Sequence, residues 1–384
     1  MAAHGSPATE VDVVTAALKE IAARRGVTRP RFSIEQGSGA GDGYVGDMIR
    51  ASIEDEDDVQ PRLSVVCKTS ALGVGEIVRQ IFAAEASIYQ VVMPAIEEAT
   101  TMSAPLPWPR CLLAVVGGPQ DCVVLEDLKE QGFVTRDRKE PLDAASAHLV
   151  LKQLGKLHGG SMALEVTRPD EFRAMKDAVP NPYAAPAFRH TMMPIVEACL
   201  ETPEIVSQRF PNGSVVSHEL RRLFDRFAED YVQAMIIDPD GGNSILHGDC
   251  HVNNSMWRFD KDTGAVTDCR LIDFANTYYG AATLDILTYL LVCTDKELRG
   301  AHWDSLLKSY HSQVQDTLRA AGVKDPDKVF SWNRFQEQLR LTSFYGLCMT
   351  PFLLHCMHAE GETIQELKDV FTCPMDKQQE YTYV

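Results

Sequence analysis

His247-Gly248-Asp249-Cys250-His251-Val252-Asn253-Asn254, with Ile272-Asp273-Phe274 a short way beyond it, is the stretch that decides how this chain is read. Runs 255–259 and 269–274, the second carrying Ile272-Asp273-Phe274, are both β-like and joined by the turn-rich DKDTG, so the pair reads as a hairpin. An Asp, an Asn five residues on and a second Asp at a strand end form a recognisable set. Phosphoryl transfer from ATP needs a carboxylate near the attacking hydroxyl and hard oxygen ligands that hold Mg2+ against the phosphates. On this reading Asp249 takes the hydroxyl proton, while Asn254, through its carbonyl oxygen, and Asp273 bind the metal. Any one of these residues alone would be an ordinary turn residue capping nearby backbone. The whole string with its hairpin is what sets that reading aside.

Working outward, residues 11–25 place Val14, Leu18, Ile21 and Ala22 at helical spacing and stop at Gly26. Five short β-like runs follow, 31–36, 44–52, 62–68, 111–117 and 122–126, and they predict a small antiparallel sheet. A helix over 74–93 interrupts them and is expected to end before Pro94. The polar segment 129–140 opens a second lobe, a long helix over 142–158 ends at His158, and the remainder is mostly helical apart from the hairpin. The fold class is therefore α+β, divided into a loose arm 1–10, an N-lobe 11–128 and a C-lobe 129–384, with a polar tail from Pro374.

Gly37, Gly39, Gly41 and Gly43 fall between two β-like runs, where a glycine-rich turn lets backbone N–H groups approach phosphates. The run is neither a Walker A, since no GK[ST] follows, nor a dinucleotide fingerprint, since a strand comes next. Glu126-Asp127-Leu128 falls where the sheet gives way to the second lobe, so the backbone of Glu126 and Leu128 is placed to meet adenine in an interlobe cleft. His247 and His251 make a poor zinc site and read as structural hydrogen-bonding groups, and Asp285 reads as a brace for the catalytic loop. Ten cysteines are scattered with no CxxC pair, which suits reduced and mostly buried thiols.

A net charge of −17 argues against nucleic acid or an anionic membrane surface as partner. It also repels nucleotides, so a nucleotide site needs local lysine, backbone amides and a cation. The first residues, MAAHGSPATE, lack the basic and apolar regions of a secretory signal, and no apolar run approaches the ~20 residues that span a bilayer. A cytoplasmic protein without membrane insertion is expected.

HGDxxxxN followed by a DF strand end resembles the aminoglycoside phosphotransferase and choline kinase superfamily, which shares the protein-kinase fold. SVVCK ending at Lys68, FAAEASIYQ at 82–90, VVLEDL at 123–128 and LGKLHG at 154–159 stand in the order of the choline-kinase-like group called ecdysteroid kinase-like. The resemblance covers about 34–290 and implies the two-lobed protein-kinase-like fold, with Lys68 reaching the α and β phosphates and paired with Glu85 on the following helix. It implies an ATP- and Mg2+-dependent kinase acting on a hydroxyl of a small molecule, a steroid of ecdysteroid type. A choline or ethanolamine kinase is the alternative within the superfamily, and a kinase-like binding protein without turnover is the alternative outside it. The chain departs from the group in having Ala275 where Gln is usual and His251 where Trp is common, which bears on the substrate more than on the chemistry. Trp332, Phe335, Phe344, Tyr345 and Phe352 either line an apolar acceptor pocket or form a core stripe. The segment after Asp273 has no APE-like motif or room for a long activation loop, which disfavours a protein substrate.

Overall fold

The computed structural model describes residues 10–36, 47–57, 59–72, 74–102, 105–179 and 238–358, with 181, 215, 217–219 and 221–222. Gly37, Gly39, Gly41 and Gly43, the arm before residue 10 and the tail from Pro374 lie outside them.

The first helix, α1 (Glu10–Arg24), is followed by β1 (Pro30–Gln36), β2 (Asp47–Asp55), β3 (Leu63–Thr69), β4 (Cys111–Val115) and β5 (Cys122–Glu126). These strands form one antiparallel sheet in the order β1-β2-β3-β5-β4. Successive side chains of a strand face opposite ways, so β5 divides its residues between two cores while the buried apolar residues of β3 join one. Val65, Cys67, Cys122 and Val124 pack under Val14, Leu18 and Ile21 of α1, whereas Val123 and Leu125 join the larger core that continues into the helical half. Lys68, next to Cys67, is thereby turned away from α1 and toward the interlobe space.

Between β3 and β4 runs α2 (Glu76–Ser87), then a wide π turn (Ile88–Val92), then α3 (Met93–Ala99). The expectation that this helix ends before Pro94 does not hold. Met93 N–H reaches back to Ile88 C=O, and Pro94 opens the next segment, where a missing N–H is tolerated. The extra residue in the π turn also leaves Ile88, Tyr89 and Val92 all buried.

A 3-10 turn (Leu128–Gln131) leads into α4 (Ala144–Thr167) and α5 (Pro169–Asp177). Here too the helix outruns its expected end: His158 lies inside α4, and Gly159 and Gly160 do not terminate it. These glycines are contact surfaces rather than stop signals. A Cβ on Gly155 would sit 2.8 Å from Gln313 Cβ, one on Gly159 would sit 3.0 Å from the Val314 carbonyl oxygen, and one on Gly160 would sit 2.3 Å from Ile96 Cγ2. Helix α4 is thus notched on two sides.

The rest comprises β6 (Asn243–Ile245), a 3-10 turn (Val252–Asn254), β7 (Ser255–Phe259), β8 (Val266–Leu271), β9 (Tyr279–Ala281), α6 (Thr283–Cys293), α7 (Lys296–Ala320), α8 (Pro326–Phe330) and α9 (Trp332–His358). The predicted hairpin is β7–β8, with Ser255 opposite Leu271 and Trp257 opposite Cys269, and β6 pairs with β9. Helix α7 lies in the glycine notch of α4, and α9 lies along α6. Trp332 and Phe335 stack around His311 with Phe330, which makes them core rather than pocket lining. The arrangement is a protein-kinase-like two-lobed α+β fold, with a small antiparallel sheet ahead of a larger helical half. Cys67, Cys122, Cys250, Cys269 and Cys293 are buried free thiols and Cys111 is half-buried. Among the described residues no helix is long and apolar enough to cross a membrane.

On an open helix face, Gly159→Ala would gain about 1 kcal/mol of helix propensity. Facing backbone atoms of α7, it is expected instead to lower stability by about 1–3 kcal/mol, measured as a reduced urea midpoint at unchanged slope.

Candidate active site

The site is assembled by two tight turns and one hairpin. Gly248 has φ +80°, and a Cβ there would lie 1.9 Å from the Asn276 carbonyl oxygen, so only glycine lets the loop before Asp249 close against the segment after Asp273. Leu246 N–H donates to Tyr278 C=O (2.8 Å) and Thr277 Oγ1 to Leu246 C=O (2.6 Å), which stitches the same two segments together. The β7–β8 hairpin then brings Asn254 and Asp273 side by side, because Ile272 N–H donates to Asn254 C=O at 2.9 Å. Asp273 itself takes φ +63°, a left-handed conformation that aspartate tolerates better than most side chains.

Across the cleft, Lys68 Nζ lies 2.9 Å from Glu85 Oε2 and 2.8 Å from Asp273 Oδ1. Lys68 is 8% exposed and Glu85 1%, whereas the Asp273 side chain is 43% exposed, so the cluster opens toward solvent on the Asp273 side. Burial works against the Lys68 charge, but Asp273 and Glu85 together outweigh it and hold the ammonium pKa above its ordinary value. Burial raises the Glu85 carboxyl despite Lys68, while at Asp273 burial is overridden by Lys68 and the carboxyl is held below the usual aspartate value. One buried cation is thus shared by two carboxylates from different parts of the chain.

Asp249 lies with its side chain 30% exposed. Its Oδ2 accepts from Asn254 Nδ2 at 3.2 Å and from Asn276 Nδ2 at 3.3 Å, and its Oδ1 is 3.3 Å from His251 Nε2. Burial would raise the Asp249 pKa, yet His251, His247 and Asn276 outweigh it and hold the carboxyl below its ordinary value. Asp249 reciprocally lifts the His251 pKa against burial. Burial pushes His247 down, and its Nε2–H donates to Ile272 C=O at 3.0 Å, a structural task. Because Asn254 turns Nδ2 to Asp249, its amide oxygen is the atom it offers to a cation. That oxygen and the Asp273 carboxylate are hard donors of the kind magnesium accepts, and magnesium needs only one or two protein oxygens beside phosphates and water. Among the described residues no group of three or more His, Cys, Asp or Glu could hold a metal by itself, which such a cation does not require.

Asp285, on α6, is the brace expected of it: Oδ2 accepts His247 N–H (2.7 Å) and Oδ1 accepts Gly248 N–H (3.0 Å). Behind it stands His158, buried inside α4, with Nε2 3.1 Å from Asp285 Oδ2 and Nδ1 2.8 Å from Tyr310 Oη. Phe274 packs between His247 and Tyr89, with ring centroids 4.5 and 5.6 Å away, and so ties the Asp273 turn to the Glu85 helix.

Two features of the interlobe linker were not assigned from sequence. Asp127, between Glu126 and Leu128, is bound by Arg50 (2.8 Å) and Ser64 Oγ (2.9 Å) and caps Lys129 N–H (3.0 Å), which pins the linker to β2 and β3. Leu128, Phe133 and Met256 form a small apolar cluster with Ile272 packed on it, beside the linker and directly before Asp273. Glu126 N–H donates to Arg110 C=O (3.0 Å), and Phe133 N–H donates to Leu128 C=O (3.1 Å). Asn276 also escaped the sequence reading; its signal was a polar residue three positions after Asp273, in a segment that otherwise turns apolar.

A buried Lys–Glu pair thus faces an HGD loop, an Asn and a left-handed Asp. Residues 40–323 match the model of the ecdysteroid kinase-like family, and the chain belongs to that family. As a member it is a small-molecule kinase, and membership implies ATP as phosphoryl donor. No curated protein matches the sequence. Among solved structures, the chain is similar to the GDP complex of wild-type aminoglycoside 2′-phosphotransferase-IIIa, at 11% identity over 96% of this chain and 99% of that chain, with a TM-score of 0.42. It is similar also to a putative fructosamine-3-kinase from Haemophilus somnus 129PT, at 11% identity over 92% and 95%, with a TM-score of 0.40. Overlaps this loose carry no functional weight.

Asp285→Ala would leave the His247 and Gly248 N–H groups without their partner, at about 1–3 kcal/mol for each. A lowered melting temperature and a reduced kcat are expected together, since the same two bonds hold Asp249 in place.

Proposed function

We propose that the protein transfers the γ-phosphoryl group of ATP, with Mg2+, to a hydroxyl of a small apolar acceptor of steroid type. The observation that carries this is the convergence of Lys68, Glu85 and Asp273 at 2.8–2.9 Å on one side of a site whose other side is Asp249, already oriented by three polar contacts. Lys68, fixed by Glu85, presents its ammonium to the α and β phosphates. The stretch carrying Gly37, Gly39, Gly41 and Gly43 joins β1 to β2, whose Met48 pairs with Lys68, and in this reading its backbone N–H groups would cover the phosphates. The Leu128, Met256 and Ile272 cluster would offer adenine an apolar bed, with the Leu128 N–H and Glu126 C=O for its polar edge. The lobes meet at this linker, between 128 and 129.

Asn254 Oδ1 and the Asp273 carboxylate would hold Mg2+, which supplies charge neutralisation for the phosphate oxygens. In the transfer, the acceptor oxygen bonds to the γ phosphorus, the bond to the ADP oxygen breaks, and the hydroxyl proton passes to Asp249. The depressed pKa of Asp249 does not oppose this role. In a loose transition state the hydroxyl loses its proton late, and orientation of the oxygen matters more than the strength of the base. The pairing of Lys68 with Glu85 and Asp273, beside an Asp249 held by Asn254, favours catalysis over a binding role without turnover.

The test is Mg2+-dependent ATP consumption with a panel of steroids, choline, ethanolamine and aminoglycosides, with product mass read for an added phosphate. A phosphorylated steroid is expected. A phosphorylated amino-alcohol would keep the chemistry and replace the substrate, and absence of Mg-ATP binding would remove the whole reading. In the same assay Asp249→Ala should cut kcat by about 10²-fold or more with Mg-ATP affinity retained, whereas Asp273→Ala should weaken Mg-ATP binding as well.

A further inference from the structure

Asp249 is gripped from two segments, only one of which is the catalytic loop. His251 and Asn254 belong to that loop, whereas Asn276 reaches in from beyond Asp273 and donates its Nδ2 to Asp249 Oδ2 at 3.3 Å. Asn276 cannot drift from the loop. Its carbonyl oxygen abuts Gly248, and the next two residues are bonded to Leu246, Thr277 through Oγ1 at 2.6 Å and Tyr278 through its carbonyl at 2.8 Å.

A carboxylate offers about four lone-pair positions, two on each oxygen. Asn254 Nδ2 (3.2 Å) and Asn276 Nδ2 (3.3 Å) occupy both positions of Oδ2, while Oδ1 has His251 Nε2 at 3.3 Å and one position left. We propose that Asn276 is a positioning residue that closes Oδ2 and so makes Oδ1 the oxygen that receives the acceptor hydroxyl. This role rests on the phosphotransfer reading of Asp249. It gives a reason for an amide at 276: a donor is required there, and a carboxylate of the same shape would face Asp249 with like charge. Without the amide, Oδ2 loses its second donor and the carboxylate is held from the catalytic loop alone, so the acceptor oxygen it orients, a hydroxyl or water, is no longer fixed in line.

The test compares wild type, Asn276→Ala, Asn276→Asp and Asp249→Ala in Mg-ATP hydrolysis with water as acceptor, with Mg-ATP affinity measured by calorimetry. Expected is a fall in kcat of roughly 10–100-fold for Asn276→Ala and a larger fall for Asn276→Asp, with the KM for ATP and the Mg-ATP Kd little changed. The reverse order, with the isosteric Asn276→Asp near wild type and Asn276→Ala impaired, would mean that the side chain only fills space and would overturn the proposal. So would a loss of Mg-ATP affinity matching the loss of kcat, which would place Asn276 at the metal. If wild type neither binds Mg-ATP nor hydrolyses it faster than Asp249→Ala, the phosphotransfer reading fails and this proposal with it. If Asp249→Ala is inactive while Asn276→Asp is not impaired, only the proposal fails.

Discussion

A single ammonium, Lys68 Nζ, is shared by a carboxylate on a helix and a carboxylate on a turn more than two hundred residues away in sequence. Burying a charge is costly unless it is paired, so Lys68 at the cleft-facing side of β3 demands both partners. Much of the remaining architecture can be understood as what brings them there. The π turn and Pro94 extend the Glu85 helix until Ile96 lodges in the notch at Gly160, and the β7–β8 hairpin carries Asp273 back to the foot of Asn254. With two carboxylates on one cation, the cluster keeps a residual negative charge on its exposed side, where Asp273 faces the cleft. That is the sign a hard cation would need.

The catalytic loop answers a different constraint. A loop that must present Asp249 has several backbone N–H groups turned inward, and buried N–H groups need acceptors. Asp285 meets two of them, His158 and Tyr310 stand behind Asp285, and Gly248 supplies the one backbone shape that permits the closure. At this site buried polar residues hold backbone, and Asp249 and Asp273 are left partly open to solvent.

Legibility in the sequence followed the range of the forces involved. The five strands, the hairpin and the spacing from Asp249 to Asn254 are local and were readable from alternation and turn residues. The Lys68–Glu85 pair was readable only through family resemblance, since a strand-end lysine and a helix glutamate are commonplace singly. Helix ends failed where tertiary packing overrode local signals: Pro94 and Gly159-Gly160 look like stops, but a π turn absorbs the first and close helix contact accounts for the second. Asn276, Asp127 and the Leu128–Met256–Ile272 patch were missed because each acts across a fold contact that no short-range pattern encodes.

The division of the sheet between two cores bears on how this protein comes apart. Only the face under α1 belongs to the small half alone; the opposite face, with Val123 and Leu125, shares one continuous apolar body with Phe82, Tyr89, Leu154, Phe274 and Leu318. Lobes that look separable along the chain are therefore not separable in water. A fragment ending at the linker would carry an uncovered oily face, and heat or denaturant should meet one cooperative melting unit rather than two, with the nucleotide cleft lost in the same event as the body that frames it.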